Sequence, residues 1–110
     1  VFAQEEAVKN INISTVQLKQ LMAQDSSLVI LDVRTPEELT GELGHIKGVI
    51  NIPVQVLKER IAELDKYKDK DIYVICRSGN RSQYGTKILR EEGFKAFNVL
   101  GGMRAYNSMK

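Results

Sequence analysis

Cysteine is almost missing from this chain: Cys76 is the only one among 110 residues. A single sulfur excludes an internal disulfide and cannot by itself build a structural zinc site, so no metal and no cofactor is expected. A dominant charge is missing too. Sixteen Lys and Arg stand against fourteen Asp and Glu, leaving +2, and the two signs interleave without long blocks. Neither nucleic acid nor membrane is expected as a partner. No apolar run approaches the ~20 residues that span a bilayer, the longest being Leu28-Val29-Ile30-Leu31 and the similar Ile72 to Ile75 segment.

What is present suits one globular domain, with 43% hydrophobic and 27% charged residues in a chain too short for a second core. Residues 1–10 are polar and without period, and read as a flexible N-terminal arm ahead of a domain over 11–110. Val1-Phe2-Ala3-Gln4 resembles the end of a secretory signal. The expected compartment is therefore cytoplasmic, or periplasmic if Val1-Phe2-Ala3 is a signal remnant.

From Ile11 the pattern becomes regular. Ile11-Asn12-Ile13 is a short extended piece, and Ser14 with Gln17 forms a capping box for a helix carrying Leu18, Leu21 and Met22 on one face. Leu28 to Leu31 is a continuous apolar run, as in strands covered on both faces. Thr35-Pro36 followed by two glutamates predicts a helix start, limited to about two turns by Gly41 and Gly44. Val49 to Ile52 is a further strand. Val54, Leu57, Ile61 and Leu64 then predict the longest helix, reaching Tyr67.

Ile72-Tyr73-Val74-Ile75 has the strongest strand character, by its β-branched and aromatic content. Ser82 to Glu92 predicts a helix with Tyr84, Ile88 and Leu89 inward and Gly93 as its stop. Ala96 to Val99 is the last strand. Gly101-Gly102 then turns the chain into a brief helical end. Strands alternating with helices imply the α/β class, a mostly parallel sheet with helices on both faces.

In such sheets ligands bind beyond the carboxyl ends of the strands, and Cys76 lies at one. The segment Cys76-Arg77-Ser78-Gly79-Asn80-Arg81-Ser82 joins the best strand to a helix. Its thiol sits where backbone N–H groups and a helix N-terminus can converge, and where Arg77 and Arg81 favour a thiolate. Gly79 and Asn80 tolerate the left-handed backbone that a tight cradle needs. A cysteine that only packed at a strand end would not require these neighbours.

Several separate segments, in order over nearly all of residues 11 to 107, resemble the rhodanese family. Leu31-Asp32-Val33-Arg34 looks like its first signature, and the stretch from Gly44-His45-Ile46-Lys47-Gly48 to Pro53 like its second. Cys76 to Ser82 looks like its active-site loop, and Leu100-Gly101-Gly102 with Tyr106 like its closing segment, tyrosine standing where tryptophan is usual. The departures are a stretch from Glu38 to Gly44 about two residues longer than usual, Leu39 at an often aromatic position, and Val49 for a usual alanine. These put the pocket rim near residues 39 to 44, and hence substrate choice, in question.

The resemblance implies a sulfurtransferase. The Cys76 thiolate takes sulfur from a small anionic donor such as thiosulfate and holds it as a persulfide. A thiol or cyanide then removes it, or a protein sulfur acceptor does. Backbone N–H groups of residues 77 to 82 would stabilise the persulfide, and Arg77 and Arg81 would hold the donor, Arg81 foremost. Asp32 and Arg34 are supporting candidates, with Asp32 read as scaffold. His45 matches a structural turn, and an already ionised thiol needs no general base.

Two rival readings remain. A cysteine phosphatase or arsenate reductase of the related fold would carry Cys-x5-Arg, with arginine at position 82, where this chain has serine. A non-catalytic module or a protein-to-protein sulfur carrier could use the same fold.

Overall fold

The computed structural model describes residues 11–109. The expected N-terminal arm and the signal remnant lie outside the described residues. Five strands, β1 (Asn12–Ile13), β2 (Val29–Asp32), β3 (Ile50–Asn51), β4 (Asp71–Ile75) and β5 (Lys95–Val99), form one sheet in the order β1-β5-β4-β2-β3. Every pairing is parallel. The α/β expectation holds, and the sheet is wholly rather than mostly parallel.

Helices α1 (Thr15–Gln24), α2 (Pro36–Leu39), α3 (Leu57–Arg60), α4 (Asn80–Glu91) and α5 (Gly102–Ser108) connect and cover it. Alternation along the strands divides the core between the two faces. Leu31, Val74 and Ala96 pack with Leu57, Leu64, Ile88 and Leu89 on the side of α3 and α4. Ile30, Tyr73, Ile75 and Val99 pack with Leu18 and Met103 on the side of α1 and α5. No helix among the described residues is long and apolar enough to cross a membrane.

Local signals explain where the helices begin. Gln17 N–H donates to Ser14 Oγ at 3.0 Å, and Ser14 N–H donates back to Gln17 Oε1 at 2.9 Å, completing the capping box. Thr35 and Glu38 repeat the device at α2, behind Pro36 in its first turn. That helix closes after a single turn, at Leu39, sooner than Gly41 and Gly44 would require.

Two other expectations are corrected. Residues 54 to 67 are not one long helix: a 3-10 turn (Val54–Val56), α3 and a second 3-10 stretch (Ile61–Tyr67) follow one another, and α4, with 12 residues, is the longest helix. Alternating steps of three and four residues suit either winding, and the β-branched Val54, Val56 and Ile61 weaken the α form. Leu57 and Leu64 are still fully buried, because both windings turn them toward the sheet. Tyr84 does not point inward but is 57% exposed. The buried stripe of α4 runs through Ser82, Gly85, Thr86, Ile88 and Leu89. At Gly85 an added Cβ would already touch Leu57, Val33 and Val74 at 3.5 Å, so the helix lies too close to the sheet there for a large neighbour to turn in.

β2 and β4 are neighbours in the sheet, yet the chain leaves β2 toward β3 on one side and β4 toward β5 on the other. Their carboxyl ends therefore flank the switch point at which open parallel sheets bind ligands. Cys76 and the segment Asp32 to Arg34 both lie there.

Candidate active site

Cys76 directly follows β4, with its residue surface 1% exposed. The chain then turns through Arg77, Ser78 and Gly79 into the first turn of α4. Gly79 caps that helix at φ +111, a backbone conformation that L side chains rarely adopt. Its N–H donates to Cys76 Sγ at 3.1 Å. On the other side of the sulfur lies the fully buried Ser82, with Sγ and Oγ 3.3 Å apart.

The back of the loop is held by α5. Met103 N–H donates to the carbonyl of Cys76 at 2.8 Å, and Arg104 N–H to that of Arg77 at 3.0 Å. This contact requires Gly102, where a Cβ would stand 2.5 Å from the Cys76 carbonyl oxygen. With its carbonyls engaged behind, the loop turns amide N–H groups toward the sulfur.

Ionisation of Cys76 is set by opposing influences. Burial is the largest and disfavours the thiolate. The hydrogen bond between Sγ and the Ser82 hydroxyl and those from the backbone N–H groups of Ser82, Gly79 and Ser78 together outweigh it, so the thiol pKa lies below its ordinary value. A lowered pKa raises the thiolate fraction of a cysteine.

The two arginines of the loop differ. Arg81 is bidentate on Glu38, with hydrogen bonds of 2.7 and 2.8 Å to the two carboxylate oxygens. The Arg81 guanidinium is thus already matched by a carboxylate, and its hydrogen bonds bring the Glu38 carboxyl down to about 2. Arg77 is exposed, and its side chain has no hydrogen-bond or ion-pair partner among the described residues. It lines a shallow pocket of about 340 Å³ together with Arg34, Glu37, Glu38 and Glu42. Ser78 and Asn80 are exposed at the loop surface.

Asp32 and Arg34 form a buried ion pair, 0% and 1% exposed, closed at 2.8 Å. Arg34 also donates to the carbonyls of Glu38 at 3.3 Å and Gly44 at 2.8 Å. The pair thereby anchors both ends of the 38 to 44 stretch that makes the pocket rim. Asn107 adds a hold near its far end, donating to the Leu43 carbonyl at 2.9 Å. His45 is exposed, its Nδ1 3.0 Å from the carbonyl of Leu39, a turn contact remote from the sulfur's hydrogen bonds. Among the described residues no group of three or more His, Cys, Asp and Glu is placed to hold a metal ion.

Two residues of the site did not emerge from the sequence. In the sequence Glu38 reads only as a first-turn acid; its capping box with Thr35 and its hold on Arg81 are seen in the structure. Asn98 stands in the midst of the apolar β5, 2% exposed, and its Oδ1 accepts from Ser82 Oγ at 2.6 Å. A polar residue inside a strand buried on both faces was the available signal for it.

Comparison with known proteins agrees with this geometry. The family model described as Rhodanese-like domain matches residues 14–109. YrkF of Bacillus subtilis, by its name a proposed sulfur carrier protein, is 43% identical over 93 residues, and the aligned region covers 84% of this chain but 48% of YrkF, so the chain spans about half of that relative's length. YtwF of the same organism, by its name a proposed sulfurtransferase, is 43% identical over 94 residues, covering 86% of this chain and 87% of YtwF. The Escherichia coli thiosulfate sulfurtransferase PspE is 38% identical over 74 residues, covering 67% and 69% of the two chains. Among solved structures, a rhodanese-like domain protein from Staphylococcus aureus superposes with a TM-score of 0.78 at 32% identity, over 86% of this chain and 89% of that one. A parallel sheet with a buried cysteine at its switch point, and a match over nearly the whole described chain, place this protein in the rhodanese family.

Proposed function

We propose that the chain is a sulfurtransferase that moves a sulfane sulfur from an anionic donor such as thiosulfate to a thiophilic acceptor, a thiol or cyanide, through a persulfide on Cys76. The observation that carries this reading is the environment of Sγ: buried, accepting from Gly79 N–H, facing Ser82, and with its pKa lowered. The thiolate attacks the outer sulfur of thiosulfate, and the donor's S–S bond breaks with its electron pair leaving on sulfite. An acceptor then attacks the outer sulfur of the persulfide and the Cys76 thiolate departs. Neither step needs a general base once the thiol is ionised.

Arg77, exposed at the pocket and without an ion-pair partner among the described residues, is the cation offered to the donor. Arg81 contributes through Glu38, as part of the rim. The name of PspE supports thiosulfate as donor class. At position 82, where a Cys-x5-Arg phosphatase carries its arginine, a serine hydroxyl lies 3.3 Å from the sulfur, which suits a single sulfur atom better than a phosphoryl group. The name of YrkF supports a second reading, a carrier that hands the same persulfide sulfur to a protein acceptor.

The deciding assay is sulfite release from thiosulfate with cyanide as acceptor, for wild type and Cys76→Ser, beside p-nitrophenyl phosphate turnover. Sulfite release lost in Cys76→Ser supports transfer. Release that survives the substitution overturns it. Intact mass should show one added sulfur after thiosulfate treatment, and loading that only a protein acceptor discharges favours the carrier.

A further inference from the structure

The Ser82 hydroxyl has one proton and two demands on it. As arranged, Cys76 Sγ–H donates to Ser82 Oγ at 3.3 Å, Ser82 O–H donates to Asn98 Oδ1 at 2.6 Å, and Asn98 Nδ2 donates to Asn12 Oδ1 at 3.1 Å. Along this side-chain relay every donor points away from the sulfur, which accepts instead from the Gly79 N–H of the loop. This direction suits a thiol and is the wrong one for a thiolate, which can only accept.

We infer that the chain Asn12-Asn98-Ser82 reverses its hydrogen-bond polarity when Cys76 ionises, with Asn98 as the positioning residue that decides which way the Ser82 proton faces. An amide presents its oxygen and its NH2 group in nearly the same shape, so a half-turn of the Asn98 side chain exchanges acceptor for donor without moving other atoms. Nδ2 then donates to Ser82 Oγ, Ser82 O–H donates to Sγ, and Oδ1 accepts from Asn12 after the same half-turn there. The thiol proton leaves to solvent and no covalent bond between heavy atoms changes. Asn98 has no other side-chain hydrogen bond among the described residues, so the reversal leaves none broken.

Three placements support this. Asn98 lies on the same face of the sheet as Cys76 and is 2% exposed, where a group left unpaired in either state would be costly. Asn12 and Asn98 are register partners across β1 and β5, which keeps the far link in reach. Asn12 is exposed, so the end of the chain can turn in water. A hydroxyl that itself accepts a hydrogen bond donates more strongly, which favours the anion.

Of the charged groups at this end of the sheet, Arg81 on α4, held by Glu38 of α2, interacts with the same thiolate, and Arg77 in the loop and the Asp32–Arg34 pair at the end of β2 lie nearby in the fold. None of them touches the Asn98 side chain, so variants there leave these charges in place.

The inference deepens the sulfur-transfer reading and rests on it only for what the thiolate is used for. Its test reads the thiolate directly, without donor or acceptor: the pH profile of iodoacetamide alkylation, which in a chain with one cysteine reports Cys76 alone. Ser82→Ala should move the profile to higher pH and slow alkylation at neutral pH about tenfold. Asn98→Asp, whose carboxylate accepts but cannot donate, should do the same. The double variant should resemble Ser82→Ala, because Asn98 acts through Ser82. An unmoved profile in Asn98→Asp overturns the inference, as does an effect that adds in full to that of Ser82→Ala. Where Asn98→Asp does not fold, Asn12→Asp at the exposed end replaces it: a smaller slowing that vanishes in the Ser82→Ala background supports the reversal, and no slowing overturns it.

Discussion

Glu38 and Arg81 meet across the mouth of the site with two hydrogen bonds, 2.7 and 2.8 Å, although 43 residues separate them. Glu38 also accepts from Thr35 N–H at 3.1 Å, so one carboxylate caps α2 and pins the first turn of α4. Its pKa falls from the ordinary 4.5 to about 2, chiefly through Arg81. A depressed carboxylate pKa stabilises the folded state fully above the ordinary value, and that gain is lost as pH falls toward the folded one. Glu38→Gln should cost about 1–2 kcal/mol at neutral pH, after allowance for partial exposure. Denaturant titrations at neutral pH and near pH 3 check this: the gap between wild type and variant should narrow in acid.

The charge around the pocket offers a second measurement. Arg34 is paired with Asp32 and Glu38 with Arg81, which sets Arg77 against Glu37 and Glu42 at the opening. Arg77→Ala should raise the KM for thiosulfate about tenfold at low ionic strength, and Glu42→Gln should lower it two- to threefold, roughly. Both effects should shrink as salt is added, because exposed charges are screened. A change in KM that stays the same size at high salt in steady-state kinetics would contradict this assignment.

Gly102 tests the backing of the loop. A methyl group there meets the Cys76 carbonyl at 2.5 Å and Arg77 backbone atoms at 2.7 Å, whereas one at Gly48, also at positive φ, meets nothing within 4 Å. Gly48→Ala should cost about 1–2 kcal/mol, the strain of the left-handed backbone alone. Gly102→Ala should cost more and also slow the alkylation of Cys76, since the loop must shift.

Breaking the buried ion pair should be expensive. Arg34→Ala leaves Asp32 charged in a site 0% exposed and releases the carbonyls of Glu38 and Gly44. A loss of about 3–5 kcal/mol is expected in chemical denaturation. Asp32→Asn combined with Arg34→Met should recover part of it, because no lone charge then stays buried.

How far the sequence reveals this structure depends on how far apart the contacting residues lie. β2 and β4 are legible because burial on both faces demands continuous apolar runs. The loop from Cys76 to Ser82 is legible because its parts are adjacent in the chain. The bond between Ser82 and Asn98 spans 16 residues and that between Arg81 and Glu38 spans 43, and no local pattern announces either. Residues 54 to 67 misled for a different reason, since the same buried positions satisfy two windings. Tyr84 misled because the glycine beside it, not its own hydrophobicity, fixes how near α4 approaches the sheet.

The amides of Met103 and Arg104 that grip the carbonyls of Cys76 and Arg77 come from the last helix of the domain. Ribosomes deliver a chain from its N-terminus, so the nascent protein holds its nucleophile for some 25 residues of synthesis before these partners emerge. Until then the loop lacks the two hydrogen bonds that hold its carbonyls from behind. The order of synthesis thus puts the backing of this loop among the last contacts the domain can make.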